Sequence, residues 1–85
     1  PDPSAEEIVS LALRHLQLSI TDRGEYWGIM RMRKHLLWYI KKLPRNQELR
    51  KNILSTEKFE DLKRAFEFYL FSNTPLSERS IGAEI

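Results

Sequence analysis

The sequence predicts an all-α protein, a compact four-helix bundle with a short third helix. Apolar residues recur at spacings of three and four, and no segment alternates apolar and polar residues as a strand would. Capping residues, Gly24 and Pro44 divide the chain into four such segments. The 85 residues contain 41% apolar residues, which suffices for one small helical core. The chain has no cysteine, so it has neither a disulfide framework nor a thiolate metal site.

The first helix is predicted from a capping signal. Ser4 is followed three residues later by Glu7, which is a capping box, so the helix begins near Ala5. Its wide apolar stripe predicts packing on two sides, and it ends near Gly24, which we expect in the left-handed cap conformation. We expect residues 1–3 to be a linker from a missing N-terminal domain.

The second helix is predicted to extend from near Glu25 to about Lys42, because Pro44 disfavours helical geometry in the residue before it. Asn46 is the predicted N-cap of the short third helix. On a helical wheel, one arc of the second helix is the predicted core face. That arc contains Tyr26, Ile29, Met32, Leu36, Leu37, Tyr39, Ile40 and Leu43.

The fourth helix is predicted to begin after a cap at Ser55 or Thr56 and to close at Asn73 and Pro75. Apolar residues recur through it at helical spacing: Phe59, Leu62, Phe66, Tyr69 and Leu70. We therefore expect a helical domain over residues 4–72 and a loose tail over residues 73–85.

The opposite side of the second helix carries basic residues around a tryptophan. We call these residues, with the loop arginine that follows, the basic stripe: Arg31, Lys34, His35, Trp38, Lys41, Lys42 and Arg45. Residues 31–51 contain eight basic residues and one acid, a net charge of +7, whereas the rest of the chain has a net charge of −5. Such an asymmetry predicts an anionic partner.

Several interpretations of the basic stripe remain open on these grounds. Lysine and arginine neutralise phosphates and flat side chains stack on bases, which favours nucleic-acid binding. Alternatively, Trp27 and Trp38 dock against a protein, the stripe is an inert solvated face, or the domain is a small helix-turn-helix DNA-binding domain. No apolar stretch is long enough for a membrane span, and a cytoplasmic location fits.

No catalytic constellation or metal site is predicted, because the two histidines lie on separate helices and the three glycines form no phosphate loop. His15, within an apolar arc, is predicted to be a hydrogen-bonded structural residue. Arg33 also lies within the apolar arc, so we expect a structural role with a carboxylate or carbonyl partner, such as an acid on the first or fourth helix. Tyr39 is predicted to pack in the core with its hydroxyl at the rim.

One stretch of the sequence resembles a known family. It contains Arg33-Lys34-His35, then Trp38-Tyr39, then Leu43-Pro44 and finally Leu49-Arg50. This combination is similar to the C-terminal helical domain of bacterial-type tRNA-dihydrouridine synthases, over about residues 4–71.

The resemblance implies a function for the domain. In that family a flavin-binding barrel reduces uridine to dihydrouridine in tRNA with FMN and NADPH, and the helical domain helps to grip the tRNA. It implies that tRNA and the chain's own catalytic barrel are the partners, that the phosphate-facing residues lie in the basic stripe, and that this chain alone is not catalytic. Many relatives have a glycine at the position of Lys42 and small residues at those of Arg45 and Asn46, which implies a stronger phosphate grip or a different docking angle.

Overall fold

The computed structural model describes residues 3–73, and these form four helices and no strand. In chain order they are α1 (Ala5–Arg23), α2 (Glu25–Ile40), α3 (Gln47–Ser55) and α4 (Phe59–Ser72). The predicted all-α bundle with a short third helix is therefore confirmed, since α3 has only nine residues. The predicted linker and tail lie outside the described residues, except for Pro3 and Asn73.

The N-terminus of α1 has the predicted capping box. The Glu7 backbone N–H donates to Ser4 Oγ at 3.1 Å, and the Ser4 N–H donates to Glu7 Oε1 at 3.0 Å. Two N–H groups that would otherwise lack a partner at the start of the helix are thus satisfied by one short sequence pattern.

Gly24 separates α1 from α2 and lets the chain reverse direction. Its φ of 88° is positive, as predicted, but its ψ of 165° lies outside the left-handed helical region. The two helices then pack closely along Gly28, whose carbonyl accepts a 3.1 Å hydrogen bond from Ser19 Oγ. A Cβ atom on Gly28 would lie 2.7 Å from the Ile20 Cα, so only glycine fits this contact.

Two helix boundaries differ from the prediction. The second helix ends at Ile40 rather than Lys42, because a turn begins at Lys41 ahead of Pro44. The predicted cap of the fourth helix is wrong: Ser55 belongs to α3, where its hydroxyl donates to the Lys51 carbonyl at 3.0 Å.

The N-cap position of α4 is Lys58, which makes no side-chain cap hydrogen bond. Instead, the backbone N–H of Phe59 donates to Glu25 Oε2, at the start of α2, at 2.9 Å. A carboxylate from another helix therefore satisfies the α4 terminus, which removes the need for a local serine or threonine cap.

The core lies between the four helices. Helix α1 packs on α2 and α4, and α3 packs on α2 and α4, so α2 and α4 occupy opposite corners. The buried residues of the core are Val9, Ala12, Leu16, Ile29, Met32, Leu36, Ile40, Leu43, Leu49, Ile53, Leu62, Phe66 and Tyr69. Tyr26 was predicted for the core face but is about half exposed; it lies in the first turn of α2, next to the connection with α1. Leu37 and Tyr39 pack against the core and are half-buried.

Candidate nucleic-acid interface

The outward side of α2 carries the helical part of the basic stripe. Trp27, Arg31, Lys34, Trp38 and Lys41 follow one another at steps of three and four residues, so they form a line along the helix. The opposite side of α2 holds the buried core residues. All seven members of the basic stripe are exposed, and Trp38 retains 66% of its accessible surface.

Three members of the basic stripe face α3. Lys34, Trp38 and Lys41 line a hollow of about 510 Å³ together with Asn46 and Arg50 at the beginning of α3. We call it the α2–α3 hollow; its wall also contains Leu37 and Ile40. No acidic residue lines it, so the hollow combines an apolar wall with cations.

The other side of Trp38 faces α1. There a groove of about 1000 Å³, which we call the α1–α2 groove, is lined by apolar residues that include Leu11 and Tyr39. Its charged lining is mixed: three cations, Arg14, Lys41 and Lys42, and two carboxylates, Glu6 and Glu7. The indole of Trp38 contacts Tyr39 edge to face, with ring centroids 5.6 Å apart, and it separates the groove from the α2–α3 hollow.

The remaining stripe residues lie apart from the α2–α3 hollow. Arg31 is 3.8 Å from Asp22 on α1, in an exposed ion pair of the kind that contributes little stability. Arg45 has a φ of 50°, which is uncommon for a residue other than glycine, and its Nε donates to Asn73 Oδ1 at 3.0 Å. His35 is exposed and makes no hydrogen bond or ion pair with the described residues. The structure thus divides the predicted site rather than gathering it into one patch.

Most of the positive charge around α2 and α3 is not neutralised. Among residues 3–73 the ion pairs are Arg23–Asp22, Arg31–Asp22 and Lys58–Glu25. Within the same range, nine exposed lysine and arginine side chains form no ion pair, and six of the nine lie within residues 31–51: Lys34, Lys41, Lys42, Arg45, Arg50 and Lys51. Unpaired charges of one sign attract counter-ions and anionic ligands.

Two residues of the α2–α3 hollow are missing from the predicted site. Arg50 belongs to the basic run, but only the packing of α3 against α2 places it opposite Lys34 and Lys41. Asn46 was predicted as an N-cap; it holds that position, but its Nδ2 donates to the Ile40 carbonyl at 2.8 Å instead of capping α3. Asn46 and Arg50 are four residues apart, about one helical turn, so a helical wheel of the third helix could have placed them on the same side of that helix.

His15 on α1 contacts Tyr39 on α2. The Tyr39 hydroxyl is hydrogen-bonded to His15 Nδ1, so the histidine has the predicted polar partner, although it is exposed rather than surrounded by apolar residues. Tyr39 packs against the core with its hydroxyl at the rim, as predicted.

Arg33 is half-buried and joins α2 to the connection between α3 and α4. One guanidinium nitrogen donates to the Thr56 carbonyl at 3.2 Å and another lies 3.4 Å from Met30 Sδ. Its Nε is buried without a partner in the described part of the chain. A carbonyl partner is therefore present, as expected, but it belongs to the connection between α3 and α4 and not to an acid on α1 or α4.

Within residues 3–73, no group of three or more histidine, aspartate or glutamate side chains is close enough to hold a metal ion. None of the helices in this range has the length and apolar content needed to cross a bilayer.

The chain was compared with protein-family models, curated proteins and solved structures. No family model matches it, and neither a curated protein nor a solved structure does so. The arrangement of the side chains around α2 and α3 is therefore the basis for assigning a function.

Proposed function

We propose that this chain is a tRNA-binding accessory domain of a flavin-dependent tRNA-dihydrouridine synthase. The observation that carries the proposal is the group of unpaired cations on the outward side of α2 and at the start of α3, next to the exposed indole of Trp38. Its resemblance to the helical domain of that family supplies the identity of the nucleic acid.

The surface suits recognition of RNA by shape and charge. Lys34, Lys41 and Arg50 lie on two adjacent helices, so they can neutralise phosphates along a folded strand rather than at one point. Folded RNA is recognised largely through its backbone and unpaired bases, and this needs no base-reading helix in a groove. The proposal includes a cytoplasmic location, where the substrate tRNA is found.

The reduction itself is assigned to a separate catalytic barrel. Enzymes of the family that this chain resembles use a catalytic cysteine of the barrel, and this chain contains no cysteine. FMN and NADPH are likewise assigned there, and none of the residues of α1–α4 is given a role in holding them.

A salt series tests the proposal. Binding of the chain to unmodified tRNA is measured by fluorescence anisotropy between about 0.05 and 0.3 M salt, with duplex DNA of similar charge as competitor. Contact of three cations with phosphates predicts a slope of log K against log salt of about −2 to −3. Steep dependence with preference for tRNA supports the proposal; equal competition by DNA reduces the surface to a general polyanion site, and absence of binding at low salt contradicts it.

A second candidate function is protein docking through the two tryptophans. Trp27 and Trp38 are 65% and 66% exposed and lie eleven residues, about three helical turns, apart on the same line of α2. Exposed indoles of this kind are common at protein interfaces. Binding to a protein partner through them would change little with salt, which separates this candidate from RNA binding.

A further inference from the structure

We propose that the α2–α3 hollow receives one unstacked nucleotide of the bound RNA, with its base against the indole of Trp38. The phosphates on either side of that nucleotide lie at Lys34, Lys41 and Arg50. The inference rests on the proposed RNA-binding function and specifies which part of the RNA the site recognises.

The hollow is formed by two rows of side chains on neighbouring helices. Lys34 and Trp38 occupy successive turns of α2 and Lys41 is its C-cap, while Asn46, the N-cap of α3, is followed one turn later by Arg50. Its volume of about 510 Å³ lies within the range of about 300–1,000 Å³ that is typical of small-molecule sites. The site thus has the size for a nucleotide rather than for a helix of duplex RNA.

The chemistry of the lining matches a base flanked by phosphates. Leu37, Ile40 and Trp38 supply the apolar wall, and the three cations supply the charge. Base–aromatic stacking is a general means of holding single-stranded nucleic acid. Asn46 adds a polar group, since its Nδ2 is held by the Ile40 carbonyl and its Oδ1 accepts no hydrogen bond from the described residues. That oxygen can accept from the amine of a base.

The other side of Trp38 is a poorer site for RNA. The α1–α2 groove is about twice as large, but its three cations, Arg14, Lys41 and Lys42, share the lining with the carboxylates of Glu6 and Glu7, which offset part of their attraction for phosphates. The charge therefore selects the side that faces α3, where no carboxylate lines the hollow.

The test uses the 85-residue chain with Trp27→Phe, so that Trp38 is the only tryptophan. It is titrated with three RNA duplexes: a fully paired one, the same duplex with one unpaired nucleotide, and the same duplex with an abasic residue in place of that nucleotide. We expect Trp38 fluorescence to be quenched only by the duplex with the unpaired base. We also expect this duplex to bind roughly five- to a hundredfold more tightly than the other two.

Two variants complete the design. Trp38→Ala should abolish the preference for the unpaired base but retain salt-dependent binding of the paired duplex, while the matched Trp27→Ala should retain both. Each indole is about two-thirds exposed, so neither change removes a core contact. Equal affinity for all three duplexes, with binding still salt-dependent, would overturn the nucleotide site alone. If none of the three RNAs binds at low salt, the proposed function fails as well.

Discussion

Two glutamate side chains stabilise helix termini in this protein, one locally and one across the bundle. Glu7 closes the capping box of its own helix, whereas Glu25 accepts from the Phe59 N–H, which is 34 residues away. Both place a carboxylate near helix N–H groups and thus near the positive end of a helix dipole. Their contributions can be separated because only the second depends on the tertiary fold.

The capping box predicts a dependence of stability on pH. The hydrogen bond from the Ser4 backbone, with a smaller contribution from the Ser4 hydroxyl, holds the pKa of Glu7 below its ordinary value of 4.5. The stabilisation is therefore fully present above pH 4.5 and is lost as the pH falls through the lowered pKa. Glu7→Gln should remove this part of the pH dependence of the melting temperature between about pH 6 and about pH 3. Glu6→Gln is the control, since Glu6 makes no cap hydrogen bond; an equal effect of both changes would contradict the assignment.

Glu25→Ala should destabilise the protein through α4. The change leaves the Phe59 N–H without its partner, and loss of a helix cap costs about 0.5–2 kcal/mol. For a domain of this size, each 1 kcal/mol lowers the melting temperature by about 4–8 °C. Lys58→Ala removes only the exposed ion pair with Glu25 and should cost at most about 1 kcal/mol. If Glu25→Ala and Lys58→Ala have the same melting temperature, the hydrogen bond from the Phe59 N–H to Glu25 contributes nothing beyond the Lys58–Glu25 ion pair.

At the scale of elements, the α1–α2 hairpin depends on close contact of two helices. Gly28 is buried against Ile20, whose Cα and backbone N would lie 2.7 and 2.8 Å from an added Cβ. Since those atoms belong to the backbone, an added methyl group cannot be accommodated by a side-chain rotation. The helices would have to move apart.

Gly28→Ala therefore should lower the free energy of unfolding by about 1–3 kcal/mol, as overpacking does. The sign of the change in the free energy of unfolding is diagnostic, because replacing glycine with alanine within an unhindered helix raises this free energy by up to about 1 kcal/mol. Urea denaturation measures the change, and Lys34→Ala on the exposed side of α2 is the control, expected within about 0.5 kcal/mol of the unsubstituted chain. A Gly28→Ala variant as stable as the original would show that the hairpin is looser than described.

At the scale of the whole molecule, the packing of the helices leaves the outward side of α2 open. Helix α2 lies between α1 and α3 and diagonal to α4. Its cations therefore border two depressions, one on each side, instead of one flat face. The basic residues therefore border two sites, the α1–α2 groove and the α2–α3 hollow, and only the α2–α3 hollow has no acidic residue in its lining.

Charge reversal tests which residues contact the RNA. Lys34→Glu and Lys41→Glu should each weaken tRNA binding at least about tenfold at low salt and make the salt slope shallower by about 1. Circular dichroism should show unchanged helicity, because both side chains are exposed. Lys63→Glu makes the same charge change at an exposed position of α4 and should bind normally. Affinities of Lys34→Glu and Lys41→Glu within about twofold of the original would exclude this side of α2 as the RNA surface.

Much of the architecture follows from local patterns in the sequence. Helical periodicity and capping signals depend on residues three or four positions apart, so they determined the four helices, the capping box of Ser4 and Glu7, and nearly all of the core. The concentration of positive charge in residues 31–51 was equally evident. These features need no knowledge of how the helices pack.

The tertiary structure alone decided which distant groups meet. The cap of α4 by Glu25 and the hydrogen bond from Arg33 to the Thr56 carbonyl join residues 34 and 23 positions apart, and no periodic pattern relates them. In the same way, Arg50 and Asn46 join Lys34, Trp38 and Lys41 only because α3 packs against one side of α2. A helical wheel shows which residues share a side of one helix. A site between two helices depends on their relative rotation, which is set by how their side chains pack against each other.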